Sequence, residues 1–168
     1  MSTDRTVNRD WIAAEFSKGI DAKQALHDDA QATSASPPDP ALGLLYHEIA
    51  AADARHKVII ETIATRYGHN PSKGGGLGIG ESISRFKDKM GELGATPQLR
   101  VEHDLAAKAT SIHWCTAWVH AFQAIGDAES ARELAAVLTE EKSHHDALQE
   151  GLNRIVAQGA GAGAVAHA

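Results

Sequence analysis

Glu141, His144 and His145 fall in the middle of the stretch from Leu134 to Ile155, where large aliphatic residues recur at steps of four and three. The stripe reads Leu134, Leu138, Glu141, His145, Leu148, Leu152 and Ile155, the buried face of an amphipathic helix. His144 sits one turn on from Glu141 and shares its side of the helix. Burying a carboxylate or an imidazole without a partner is costly. One partner that satisfies both together is a metal ion; the other is a hydrogen-bonded polar layer.

A second segment answers the first. Asp53-Ala54-Arg55-His56 places an acid and an imidazole three residues apart, on a helix whose stripe is Leu45, Ile49, Ala52, His56, Ile60, Ile63 and Tyr67. Glu48 is a reserve ligand one turn before Ala52. Both pairs lie at about the same depth along their helices, so packing side by side would bring them to one level. A two-metal carboxylate site in a helical bundle takes a Glu-x-x-His from each of two helices and a single Glu from each of the other two. For the first helix the candidates are Asp21, near the right depth, and Glu15, on the stripe Ile12, Glu15, Gly19, Ala22 and Leu26. For the third helix the stripe is Glu102, Leu105, Ala109, Ile112, Thr116 and Val119. Glu102 lies about 15 Å too early along the axis, which leaves His113 at the correct depth. The ligand set read from the sequence is therefore Asp21, Asp53, His56, His113, Glu141 and His144 or His145. Carboxylate and imidazole donors suit iron, or manganese.

These residues need long helices to hold them. Proline and glycine punctuate the chain accordingly. A first helix spans about Asn8 to Ala32 and is broken by the Ser34–Pro40 run. Asp39-Pro40 caps a second, which runs to Tyr67 and stops at Gly68. The glycine-rich residues 69–80 form a loop, and a short helix covers about Glu81 to Leu93. Thr96-Pro97 opens a third long helix to Ile125, and Gly126-Asp127 turns tightly into the fourth. The order predicts an all-α, ferritin-like four-helix bundle: two antiparallel hairpins joined by a long crossover that carries a short helix. Residues 1–157 form this single domain, and the Gly/Ala-rich tail, 158–168, is expected to be loose.

Bulk properties narrow the class. One cysteine in 168 residues excludes a disulfide framework and a cysteine metal cluster, and fits a cytoplasmic home. A formal charge of −6 argues against nucleic acid as a partner. No segment has the length and apolarity of a membrane span. Cys115 reads as inert packing, and Trp11, Trp114 and Trp118 as core or interface residues.

The chain also resembles a known family. Ala121–Leu148, with Glu140, Glu141, Lys142 and Leu148, is similar to the last helices of the YciE/YciF-type ferritin-like stress proteins. Asp21-Ala22-Lys23-Gln24-Ala25-Leu26 resembles their first-helix Glu-Lys-Gln motif, Arg100-Val101-Glu102-His103 their third-helix start, and Asp53-x-x-His56 the second helix of rubrerythrins. The resemblance implies a homodimer or higher homo-oligomer with a di-iron site and stress-linked expression. Two competing readings stand beside it. One is a metal-free dimeric bundle serving as a stress or scaffold protein. The other is a mononuclear site built from His47, His113, His120 and His144.

Overall fold

The punctuation works as expected. In the computed structural model, which describes residues 9–70 and 96–165, α1 spans Arg9–Ala35 and α2 spans Gly43–Arg66. α3 spans Pro97–Ile125 and α4 spans Ala128–Val165. There is no strand among the described residues. Asp39 accepts from the Ala41 amide and starts a single 3-10 turn, Pro40–Leu42, which leads into α2. Thr96 caps α3 through its hydroxyl, which accepts from the Leu99 amide at 3.2 Å. Gly68 and Gly126 take φ of +80° and +83° where α2 and α3 end, a conformation glycine adopts without strain. The short helix expected over 81–93 lies outside the described residues.

Cross-helix contacts fix the topology. Lys57 bonds Gln24 and His27 bonds the Ala50 carbonyl, so α1 and α2 run antiparallel. The Gly126-Asp127 turn makes α3 and α4 antiparallel. Tyr46 reaches Asp104 and Tyr67 packs on Phe122, so α2 and α3 run parallel. The result is an up-down-down-up arrangement of four helices.

Two apolar clusters fill the bundle. One end holds Ile12, Phe16, Ile60, Ile63, Trp118, Phe122 and Leu134 among others. The other holds Leu42, Tyr46, Ile49, Val101, Leu105 and Leu148. Phe16 packs on Trp118 with ring centroids 4.8 Å apart. This contact depends on Gly19: a Cβ there would lie 2.3 Å from the tip of the Trp118 ring. Gly19→Ala must therefore displace a rigid, buried indole. It is expected to cost about 1–3 kcal/mol, read as a lower urea midpoint.

α4 runs to Val165, and none of residues 156–161 is buried. One expectation is corrected here: the buried stripe of α3 is rotated. It runs Val101, Leu105, Lys108, Cys115, Trp118 and Phe122, while Glu102 and Ala109 are exposed.

Candidate functional site: a buried layer of lysines, carboxylates and histidine

Between the two apolar clusters lies a layer of five charged or polar side chains, none more than 2% exposed: Lys23, Asp53, His56, Lys108 and Glu141. Each long helix contributes. On α1, Lys23 follows Ile12, Phe16 and Ile20 and precedes Leu26 and Ala30 on one buried face. On α3, Lys108 stands one turn from Leu105. Periodicity alone thus places both lysines in the core.

The contacts are short and converge. Lys23 Nζ donates to Asp53 Oδ1 at 2.8 Å and to Glu141 Oε1 at 2.6 Å. Lys108 Nζ donates to Asp53 Oδ2 at 2.9 Å and Oδ1 at 3.1 Å, and to Glu141 Oε1 at 3.3 Å. His56 Nδ1 lies 3.0 Å from Glu141 Oε1, and its Nε2 lies 3.2 Å from Glu140 Oε2. Arg55 Nη2 donates to the same Glu140 oxygen at 2.9 Å. A neutral imidazole can donate from only one nitrogen. With a carboxylate facing each nitrogen, His56 satisfies both only as the imidazolium.

The electrostatics agree. Burial works against the charge on Lys23, but Asp53 and Glu141 outweigh it and raise its pKa. Burial likewise opposes charge on His56, and the bonds to Asp53 and Glu141 carry its pKa up. Desolvation pushes Glu141 up, yet the bond from His56 and the charges of Lys23 and Lys108 hold it down to about 2. Asp53, desolvated beside Lys23, His56 and Lys108, is held well below the usual carboxylate range. With Glu140 included, three cations face three carboxylates.

Of the residues picked out from sequence, Asp53, His56 and Glu141 meet, each offering a ligand atom within 4.8 Å of the others. His144 lies alongside: its Nδ1 is buried without a hydrogen-bond partner, as is Glu141 Oε2 one turn away. Burial and Lys108 lower the His144 pKa. The other three candidates stand elsewhere. Asp21 is partly exposed and outside the layer, because Lys23 is the α1 residue on the buried face. His113 is exposed, because α3 turns Lys108 inward instead. His145 is 31% exposed, with its Nδ1 3.5 Å from Asp146. Glu15 pairs with Lys18 at the surface, and Glu48 is exposed. His47 and His120 are exposed as well, so a four-histidine site does not assemble.

Asp53-x-x-His56 on α2 and Glu141-x-x-His144 on α4 reproduce two parts of a two-metal bundle site. The helices that would supply its two single glutamates, α1 and α3, supply Lys23 and Lys108. An ammonium cannot ligate, and here two of them occupy the carboxylate oxygens a metal would need. This donor set does not fit a resident metal pair. It does satisfy itself: apart from Glu141 Oε2, each carboxylate oxygen of Asp53 and Glu141 has a charged donor. The sequence signal for the lysines was available in the stripe, but buried lysines are rare enough that the residue type reads as surface.

Cys115 is 1% exposed, and burial pushes its thiol up to about 11, which leaves it protonated and unreactive. No described helix is long and apolar enough to cross a membrane. Comparison with known proteins finds no matching family model, no matching curated protein and no matching solved structure.

Proposed function

We propose that this chain is a ferritin-like bundle in which two lysine ammoniums stand in for the metal ions, so that it acts without metal as a helical scaffold or stress-type binding protein. The observation that carries this reading is the pair Lys23 and Lys108, both buried and both bonded to Asp53 and Glu141. A charged layer between two apolar clusters fixes the register in which four helices pack. A slip of one turn would bury ammonium groups against aliphatic side chains. The up-down-down-up order supports the ferritin-like assignment. Stress-linked expression and self-association follow from the family resemblance.

A second reading keeps iron or manganese, with cation entry coupled to loss of protons from the lysines and His56. It is favoured by the 4.8 Å spread of Asp53, His56 and Glu141 and by the partnerless Glu141 Oε2 and His144 Nδ1. Aerobic loading with ferrous iron followed by elemental analysis separates the two. The scaffold reading expects equal iron in wild type and in Glu141→Gln, and no oxidation faster than buffer. About two irons per chain in wild type, absent from Glu141→Gln, would establish the metal reading.

A further inference from the structure

Five exposed residues stand on the outward face of α2 at alternating steps of four and three: Leu44, Glu48, Ala51, Arg55 and Val58. That spacing keeps them on one stripe, opposite Tyr46, Ile49, Asp53 and Ile60, which face the core. Leu44 is 81% exposed and Val58 58%, the two most exposed large apolar side chains among the described residues. A lone exposed aliphatic needs no explanation. The order in which these five occur does.

The stripe reads aliphatic, acid, small, base, aliphatic, and it is centred on Ala51. Glu48 and Arg55 are about 10.5 Å apart along the axis, too far to pair with each other. A second α2, set antiparallel about a two-fold axis beside Ala51, changes that. Glu48 of each copy then faces Arg55 of the other, and Leu44 of each reaches the Val58 end of the other. Such a contact is its own complement. Both charges are available for it. Glu48 is exposed and pairs with no described residue. Arg55 bonds Glu140 through Nη2, yet its side chain stays 60% exposed with other donors to offer.

The shape of the face agrees with its charges. Val58, Glu61, Thr62 and Thr65 line a shallow groove together with Arg66. Four residues at i, i+3, i+4 and i+7 form the hole into which a facing helix inserts one side chain. Leu44 of a second copy is in position to fill it. Ala51, at the centre, lets the two backbones come close.

We propose that the outward face of α2 is the contact between two copies of this chain, packed antiparallel about a two-fold axis beside Ala51. This names the surface for the self-association included in the reading above, and it does not depend on what the buried layer holds. One helix face is small against the roughly 1,600 Å² of a standard interface, so the dimer is expected to dissociate in the micromolar range.

Sedimentation equilibrium of the full chain, from micromolar to submillimolar protein, tests this. Wild type is expected to dimerise, and Leu44→Glu to associate at least about tenfold more weakly. Its circular dichroism should be unchanged, because Leu44 takes no part in the core. Glu48→Lys and Arg55→Glu should each weaken association when alone. A one-to-one mixture of the two should recover it, since one ion pair is then reversed and the other native. A wild type that stays monomeric throughout would overturn both the surface and the self-association. Wild-type affinity in Leu44→Glu would overturn this surface and leave self-association to another face. A mixture that associates no better than its components would overturn the two-fold packing.

Discussion

Glu141→Ala is expected to lower the free energy of unfolding by about 3–5 kcal/mol, one of the largest effects any single substitution has on this chain. Glu141 accepts from Lys23, Lys108 and His56 through one oxygen. Removing it leaves three buried cations with only Asp53 inside the layer and Glu140 at its edge beside His56. The loss arises mainly from those stranded charges, not from the methylenes deleted. The control follows directly. Replacing Lys23, Asp53, Lys108 and Glu141 together with apolar residues of similar volume, and His56 with leucine, should leave stability unchanged or raise it by about 1–4 kcal/mol. Urea unfolding followed by circular dichroism reads both. A stability loss in the five-fold variant as large as that in Glu141→Ala would show that the layer stabilises the fold directly, beyond setting its register.

Acid unfolding provides the second large effect. Glu141 has its pKa held down to about 2, from an ordinary 4.5. A group whose folded pKa is depressed contributes stability that is fully present above its unfolded pKa and is lost as pH falls through the folded value. The Glu141 contribution is thus present above about pH 4.5 and disappears between there and about pH 2. The difference amounts to on the order of 3 kcal/mol. Asp53 is shifted in the same direction and adds to the loss. His56 has the opposite sign: its raised pKa contributes stability below about 6.5, lost only as pH rises through the higher folded value. Stability measured against pH should therefore fall steeply between pH 4.5 and 2 and decline again on the alkaline side. Glu141→Gln should flatten the acid limb.

The long helices and their ends were legible because their signals are local. Thr96-Pro97, Asp39-Pro40 and Gly126 each act through their own backbone, and each turned up in its expected role. Asp53, His56 and Glu141 were legible because an acid or an imidazole inside an aliphatic stripe demands a partner. The partner was not. Lysine has a long aliphatic stem that lets it stand on a surface or in a core, and its residue type reads as surface even where the stripe places it inside. On α3 the stripe through Glu102 starts one residue away from Val101, and a one-residue shift turns a helix by about 100°. Such a shift turns Lys108 outward and His113 inward. Asp21 stands out over Lys23 for a related reason: a carboxylate can ligate a metal and an ammonium cannot.

On the proposed reading, protonated groups and not metals neutralise Asp53 and Glu141. The most direct measurement is the protonation state of His56, by nitrogen-detected NMR of its ring across pH 6 to 9, with and without zinc or ferrous iron under anaerobic conditions. Both ring nitrogens are expected to carry protons at pH 7.5, with no change when metal is added. A neutral His56 at that pH with one bare nitrogen, or a ring signal that shifts or broadens on adding ferrous iron in step with loss of the Lys23 and Lys108 ammonium signals, would contradict the account.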